Sequence, residues 1–398
     1  MTALSSNKKL LYVLIPFALT LGMALDVYLP SIPRISDSFS TSIEMVQWTM
    51  SGFFLCFGIG QLFVGPISDQ IGRKKTVFIS LILYTSGAIL SAVAPNIEIL
   101  IISRCIQAFG ACGTQISAFT IAKDSIKDQK TSEQIFTYLK GSMGFAPMVA
   151  PIIGAFIDHH FSWRASFYIL ALFGAILMIL DYKWLNESLG KDKRVKFGFG
   201  SVSSYFIMLR NRKFMSLSIC VIASQAVLFS FFSLSPHIII TTLGYTNQFF
   251  ALCFGINALT YTLASVVSAK LLTRIEAPAC IMIGGSLMLL SGTLLLTFIH
   301  FQKLNIILLM APALLASSGT SFILGPATSM AIDPYKHITG TATALIGSLE
   351  AISAAFIGNL AIKLSNFDGA TLAYIVLVAG SMSVIFCYVG AVYKKSTA

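Results

Sequence analysis

Between two long apolar runs of this chain lies the short stretch GPISDQIGRKK, residues 65–75. The flanking runs, 46–66 and 76–95, are each long enough to cross about 30 Å of hydrocarbon as a helix. Gly72 permits a sharp turn between them, because glycine adopts backbone conformations that other residues avoid. The stretch therefore predicts a tight, charged turn that joins two membrane-spanning helices.

The composition of the whole chain agrees with that interpretation. Apolar residues make up 56% of the 398 residues and charged residues only 11%, and the mean hydropathy is +0.82. A soluble domain has roughly 25% charged residues, so this chain cannot cover a surface that faces water. We predict an all-α membrane protein with twelve spans, at 10–33, 46–66, 76–95, 97–122, 134–158, 164–186, 214–236, 249–271, 279–299, 305–331, 338–362 and 370–392.

The positions of the basic residues predict the orientation, because cytoplasmic segments carry an excess of Lys and Arg. If the N-terminus is cytoplasmic, 22 of the 27 basic residues, Lys140 among them, fall on the inner side and only four fall outside. Twelve spans then place both termini in the cytoplasm, and the net charge of +11 needs no nucleic acid to explain it. We expect a bacterial inner membrane, since no targeting sequence precedes the first span.

One long polar stretch divides the spans into six and six. It covers 189–213 and contains KDKR at 191–194 and RNRK at 210–213. We predict an N-terminal six-helix bundle at 1–188, a cytoplasmic basic linker, and a C-terminal six-helix bundle at 214–398. In transporters built from two such halves, the substrate site lies near the midplane of the bilayer.

Ionisable side chains inside membrane spans are rare and mark functional sites. The candidates here are Asp26, Arg104 and Glu350. A carboxyl group in a low-dielectric cavity takes up a proton more readily than one in water, so Asp26 can exchange a proton for a cationic or polar substrate. Structural roles stay open: Asp26 as a hydrogen bond between helices, and Arg104 as a fixed charge held by backbone carbonyls. Glu350 is either a specificity determinant or a polar packing residue.

Three further motifs accompany the stretch at 65–75. Span 1 contains DVYLPSIP at 26–33, span 4 opens with RCIQAFG at 104–110, and span 5 contains GFAPMVAPIIG at 144–154. Together the four motifs resemble those of the major facilitator superfamily, and in particular of drug:proton antiporters of the Bcr/CflA type. The likeness extends over most of the chain, although Ala155 stands where the span 5 motif usually has a second glycine.

The resemblance implies roles for the matching residues. The acid of the span 1 motif takes part in proton coupling and substrate binding, and the arginine of span 4 in proton transfer. The loop motif governs opening on the cytoplasmic side, and its candidate residues are Gly65, Asp69, Gly72, Arg73 and Asp124. The span 5 motif bends its helix and marks antiporters rather than symporters, and its candidate residues are Gly144, Pro147, Pro151 and Gly154.

Polar residues within apolar spans are candidates for the lining of a substrate cavity. They are Tyr28, Gln47, Gln107, Gln115, Gln225 and Asn257. The sequence contains no nucleotide-binding loop and no spacing typical of metal ligands or a catalytic triad. We therefore predict a protein that is not an enzyme and that uses neither a cofactor nor a metal.

The expected function is a proton-coupled antiporter that exports small drug-like or amphiphilic molecules by alternating access. A dedicated exporter of one metabolite or siderophore is the main alternative, and a proton symporter or a non-transporting membrane sensor also stays open. The expected partners are a small-molecule substrate, protons and the lipid bilayer, without nucleic acid, and the expected state is a monomer.

Overall fold

A computed structural model describes residues 2–126, 128–190, 192, 194, 199–301, 305–365 and 369–396. Several of the basic residues counted above, among them Lys127, Lys191, Lys193, Lys196 and Lys303, lie outside the described residues. Along the described residues the α-helices are α1 (Thr2–Ala18), α2 (Thr20–Asp26), α3 (Ile32–Ser38), α4 (Ile43–Ile71), α5 (Arg73–Ala92), α6 (Ile97–Ser125), α7 (Gln129–Ser142), α8 (Phe145–His160), α9 (Trp163–Trp184), α10 (Phe199–Arg210), α11 (Arg212–Pro236), α12 (Asn247–Leu271), α13 (Ala277–Phe301), α14 (Ile306–Ile332), α15 (Thr339–Leu364) and α16 (Ala370–Ser396).

Within the described part of the chain, eleven helical segments are long and apolar enough to cross a membrane. One of them, Ile306–Ala354, has 49 residues, and at about 1.5 Å per residue it is more than twice as long as the hydrocarbon layer is thick. A 3-10 turn at Asp333–Ile338, with non-helical backbone at Tyr335, divides this segment into α14 and α15. The predicted all-helical, multi-pass fold is confirmed.

The first of two compact units contains residues 2–126, 145–205 and 335–348. Two of its helices, α4 and α6, start at capping side chains: Ser42 Oγ accepts from the Met45 N–H at 3.3 Å, and Asn96 Oδ1 from the Ile99 N–H at 3.0 Å. Capping satisfies N–H groups that have no partner within the helix. Helices α5 and α6 pack so closely that a Cβ at Gly110 would meet the backbone of α5. Small residues thus allow backbone-to-backbone packing, as is usual in membranes.

The second compact unit contains residues 128–144, 206–334 and 349–396. Asn211 and Asn305 cap α11 and α14. Helices α13 and α14 touch through a reciprocal pair of glycines, because a Cβ on Gly284 or on Gly319 would lie 2.6 Å from the carbonyl oxygen of the other. Here too, side chains of minimal size set the distance between helices.

Each unit includes one segment from the opposite half of the sequence. Residues 128–144, which contain α7, belong to the second unit, although α8 of the same span belongs to the first. Residues 335–348, which contain the start of α15, belong to the first unit. Lys140 lies on the first of these segments, and Asp69 bonds to the second.

Part of the polar stretch 189–213 is helical, which its basic character does not predict. Helix α10 lies within it, and the Tyr205 hydroxyl donates a hydrogen bond of 2.7 Å to the carbonyl of Leu62 in α4. The stretch therefore includes a helix that packs on the membrane helices.

Candidate functional site

Asp26 is the last residue of α2, where the helix of the first span is interrupted. The chain continues through a 3-10 turn at Leu29–Ser31 before α3 begins. Interrupted membrane helices recur at the binding sites of transporters, because they expose polar groups within the bilayer. Asp26 is half-buried and forms no ion pair or hydrogen bond with the residues that the structure describes. Its carboxyl group is thus open to a proton or a ligand.

The guanidinium of Arg104 is fully buried among aromatic rings. Its Cζ lies 4.4 Å from the ring centroids of both Tyr28 and Phe53, and 5.7 Å from that of Phe167. Arg104 Nη1 donates to Gln107 Oε1, whereas Nε and Nη2 have no hydrogen-bond partner among the described residues. Aromatic faces attract a guanidinium, so the rings replace part of the solvation that the charge has lost. No described carboxylate pairs with it.

Tyr28 connects the interrupted helix to the arginine. Its ring lies against Arg104, and its hydroxyl is 3.0 Å from Thr49 Oγ1. The structure therefore brings together Tyr28, Arg104 and Gln107, three residues that the sequence singled out. It does not bring the Asp26 carboxylate into an ion pair with Arg104, which lies within the same unit.

The span 5 motif begins at a break in the helix. Helix α7 ends at Ser142 and α8 starts at Phe145, and the amides of Met143 and Gly144 bond to carbonyls only three residues back. Pro147 cannot donate a backbone hydrogen bond in the first turn of α8, and Pro151 removes a second donor one turn later. The α-helical hydrogen bonding of this span is thus interrupted by a two-residue turn just before the prolines.

The two glycines of this motif allow close approaches. A Cβ at Gly154 would overlap the carbonyl of Val27, directly after Asp26. A Cβ at Gly144 would lie 2.6 Å from the Tyr261 ring in α12. One end of the motif thus packs beside the interrupted helix of the first unit, and the other end packs within the second unit.

The turn at 65–75 holds a cluster of buried charges, defined here as Asp69, Arg73 and Asp124. Arg73 Nη1 lies 2.7 Å from Asp69 Oδ1, and Arg73 Nε donates to Asp124 Oδ2 at 2.8 Å. Gly72 has a φ of 101°, and a Cβ there would meet the Glu187 carboxylate. That carboxylate accepts from the Arg73 N–H at 2.9 Å. The turn therefore needs glycine for its conformation and for space.

Asp69 also binds the first turn of α15. Its Oδ1 accepts from the Gly340 N–H at 2.9 Å, and its Oδ2 accepts from the N–H and the hydroxyl of Thr341, both at 2.7 Å. The N-terminal end of a helix carries free N–H groups and partial positive charge, which an aspartate stabilises. Gly65 and Gly340 pack directly, since a Cβ on either would lie 2.6 Å from the other's carbonyl oxygen. The cluster thus fastens the start of α15 to the end of α4.

Glu350 in α15 pairs with a residue that sequence reasoning missed. Lys140 Nζ donates to Glu350 Oε1 at 2.7 Å and to Oε2 at 2.8 Å. Lys140 was assigned to the cytoplasmic side with its basic neighbours, although it lies inside the predicted span 134–158 and inside the observed segment Gln129–His160. Its position within an apolar span was the signal that could have identified it.

The remaining cavity candidates are dispersed. Gln47 is exposed on α4, and Gln115 and Gln225 are half-buried on α6 and α11. Asn257 is buried in the second unit, where its Oδ1 accepts from the Ser317 hydroxyl at 2.7 Å. Only Tyr28 and Gln107 among these candidates lie against Arg104.

An all-helical, multi-pass protein with charged side chains inside its spans belongs to the class of membrane transporters. The family model described as Major Facilitator Superfamily matches residues 14–358, and the chain belongs to that superfamily. Its members act on small molecules in a membrane and are not enzymes, in agreement with the prediction from the sequence.

The relatives include proteins named for drug resistance. A bicyclomycin resistance protein homolog of Haemophilus influenzae is 26% identical over 391 residues, which cover 94% of this chain and 95% of that protein. Multidrug resistance protein D of Escherichia coli is 24% identical over 388 residues, covering 96% and 95%. The crystal structure of the E. coli fucose:proton symporter has the same fold, with a TM-score of 0.77, 15% identity, and coverage of 98% and 99%.

Proposed function

We propose that this protein exports drug-like or amphiphilic small molecules in exchange for protons. The observation that carries the proposal is Asp26: a carboxyl group within a membrane span, at an interrupted helix, without a partner among the described residues. An intramembrane carboxylate is costly unless it is protonated or paired. A site that holds either a proton or a cationic group of the substrate avoids that cost in both states. Such alternation is what proton antiport requires.

Arg104 sets the electrostatic environment of the proton site in this proposal. Arg104 is a fixed positive charge. The aromatic rings around it, Tyr28 above all, connect it to the residues beside Asp26. Two of its nitrogens, which have no partner among the described residues, can donate hydrogen bonds to an incoming acceptor. This is the chemistry expected of a group that assists proton transfer. The names of the relatives, which refer to drug resistance, support a drug-like substrate.

The charge cluster at Asp69, Arg73 and Asp124 is the proposed latch of the cytoplasmic side. Asp69 holds the start of α15, which belongs to the second half of the sequence, against α4 of the first half. Alternating access moves one half of a facilitator against the other. The hydrogen bonds from Gly340 and Thr341 to Asp69 must therefore break when the cytoplasmic side opens.

The proposal includes the arrangement predicted from the sequence. We infer two six-helix bundles, 1–188 and 214–398, joined by the linker 189–213. Both termini face the cytoplasm of a bacterium, the protein resides in the inner membrane, and it acts as a monomer. The distribution of basic residues supports the orientation.

A vesicle assay tests the coupling. The purified chain is reconstituted with a pH reporter inside, and bicyclomycin and a chemically mixed panel of amphiphiles are added in turn. Addition of a substrate should drive proton movement with the unchanged protein. The variant Asp26→Asn should move no protons, because an amide cannot take up a proton, while neutral compounds of the panel should still bind to it.

Asp37→Asn is the matched control, since Asp37 is an exposed aspartate on the neighbouring helix α3. It should retain the full proton signal. Normal substrate-driven proton movement in Asp26→Asn would contradict the assignment of the proton site. Export of the compounds without any proton movement in the unchanged protein would contradict antiport itself.

A further inference from the structure

The ion pair between Lys140 and Glu350 takes no part in the exchange at Asp26. Both residues lie within membrane-spanning segments and within the second unit. Lys140 Nζ contacts both carboxylate oxygens of Glu350, so the two opposite charges face each other directly. A lysine inside a span destabilises insertion by about 2.5–3.5 kcal/mol. A lysine with this cost is expected to have a specific role.

Helix packing does not require this pair. Helix α7 is held to its neighbours through its backbone: the Tyr261 hydroxyl donates to the carbonyl of Lys140, and the Thr262 hydroxyl to that of Gly141, both at 3.2 Å. Gly141 also lies so close to α12 that a Cβ would meet the Ser265 side chain. These contacts are made by the main chain of α7 and depend on the small size of Gly141. They would persist with an apolar residue at position 140.

The two side chains of the pair are mostly but not completely buried. The side chains of Lys140 and Glu350 are 11% and 13% exposed. Ionisable side chains at membrane depth face the protein interior or a water-filled cavity rather than lipid. The nearby hydroxyls of Tyr261 and Thr262 are directed to backbone carbonyls, so the charged ends are the groups that a solute in such a cavity meets.

Charge balance then selects the kind of solute. A cation that bound Glu350 would compete with Lys140 for the carboxylate, and an anion at Lys140 would compete with Glu350 for the ammonium group. Removal of one partner of a pair in a low dielectric is strongly unfavourable. A solute that carries both charges replaces both partners at once. We propose that Lys140 and Glu350 form a recognition site for zwitterions, with the cationic group of the solute on Glu350 and its anionic group on Lys140.

This inference rests on the proposed transport function and adds the charge class of one set of substrates. The unpaired carboxylate of Asp26 suits protons and cations, whereas the neutral pair suits solutes without net charge. Both long side chains have several rotatable bonds. Their charged ends can therefore separate to admit a ligand while the backbones of α7 and α15 do not move.

Three fluorescent probes with one common body test the site. They are ε-dansyl-lysine, which is a zwitterion, its methyl ester, which is a cation, and its Nα-acetyl derivative, which is an anion. Binding to the purified full chain in detergent is followed by dansyl fluorescence, without any proton gradient. We expect the unchanged protein to bind the zwitterion at least about tenfold more tightly than either charged form.

Two double variants separate charge from structure. Lys140→Gln with Glu350→Gln removes both charges and keeps side chains of similar size, whereas Lys140→Glu with Glu350→Lys keeps a pair with its direction reversed. The neutral double variant should lose about tenfold in zwitterion affinity and change little toward the other two probes. The reversed pair should retain the preference.

The inference is overturned if the unchanged protein shows no preference for the zwitterion, or if the neutral double variant retains that preference. A uniform loss for all three probes would also overturn it, because it would show a structural role. Failure of the proton assay on Asp26→Asn is a separate result. It concerns a different residue and a different measurement, so either proposal can fail while the other stands.

Discussion

The membrane charges of the two units are arranged in opposite ways. In the first unit, Asp26 and Arg104 do not form an ion pair. Asp26 has no partner among the described residues, and two guanidinium nitrogens of Arg104 have none either. In the second unit, Lys140 and Glu350 satisfy each other through two contacts. The same types of charge are therefore left available in one place and neutralised in the other.

The difference indicates what each arrangement can bind. An unpaired carboxylate has an unsatisfied demand for a positive charge, so it accepts a proton or a cation readily. A neutral pair resists single ions, because each ion would have to displace one member from the other. The first arrangement suits proton exchange, and the second suits discrimination among solutes.

The largest expected effect contrasts single neutralisations in the two units. Glu350→Gln removes the carboxylate charge that Lys140 contacts through both oxygens, and we expect it to lower the free energy of unfolding by about 3 kcal/mol. Asp26→Asn removes a charge that no described residue balances and should leave stability unchanged or raise it. Thermal unfolding in detergent measures both. Equal losses for the two variants would contradict the contrast, and adding Lys140→Gln to Glu350→Gln should restore most of the stability.

The second prediction concerns the latch. Asp69→Asn keeps the shape of the side chain but weakens its bonds to Arg73 and to the first turn of α15, and charge-assisted hydrogen bonds contribute about 1.5–3 kcal/mol each. We expect the free energy of unfolding to fall by about 2 kcal/mol. A cysteine placed at the buried position Thr343 in the first turns of α15 should react faster with a water-soluble maleimide. Gln70→Ala, one residue away and exposed, is the control. Unchanged labelling in Asp69→Asn would argue against a latch.

The third prediction separates stability from transport at Arg104. A buried guanidinium with unpartnered nitrogens is costly, so Arg104→Met should raise the free energy of unfolding by about 1 kcal/mol, as replacement of buried ionic groups by apolar ones often does. Substrate-driven proton movement should nevertheless fall at least about tenfold. Such a fall corresponds to a rise of only about 1.4 kcal/mol in the barrier to transport. A stable variant with full transport would show that the arginine is structural.

The smallest effect concerns the start of α7, the helix that carries Lys140. Asp128 caps it: Oδ2 accepts from the Thr131 N–H at 2.8 Å and from its hydroxyl at 2.6 Å. These bonds stabilise the ionised form, so the pKa of Asp128 lies below the usual value for aspartate. Its stabilising contribution is therefore complete above about pH 4 and is lost as the pH falls through the lowered pKa.

The serine variant isolates that contribution, because serine also caps a helix but does not titrate. At pH 6 the free energy of unfolding of the unchanged protein should exceed that of the Asp128→Ser variant by about 0.5 kcal/mol. This difference should shrink toward zero near pH 3. Unfolding measured at the two pH values provides the test. A difference that does not vary with pH would show that the charge is irrelevant to the cap.

Hydropathy predicts the helices of this fold but not where they are interrupted. The breaks after Asp26 and at 143–144 lie inside continuous apolar runs, and only nearby prolines indicate them. Asp69 and Arg73 are only four positions apart in the sequence, on either side of the turn at Gly72, so their short separation predicts that their charges meet. The bonds from Asp69 to α15 and from Lys140 to Glu350 link residues more than 200 positions apart. No local pattern contains such pairings.

The pair of Lys140 and Glu350 has a consequence for the synthesis of the protein. Lys140 enters the membrane with span 5, whereas its partner lies 210 residues further along the chain. At about 5–20 residues per second, the ribosome needs roughly 10–40 s to make that interval. During this time the lysine has no Glu350 to neutralise it, so span 5 must wait near the membrane surface or beside other polar groups. Insertion of α15 then completes the burial of a helix that was translated long before it.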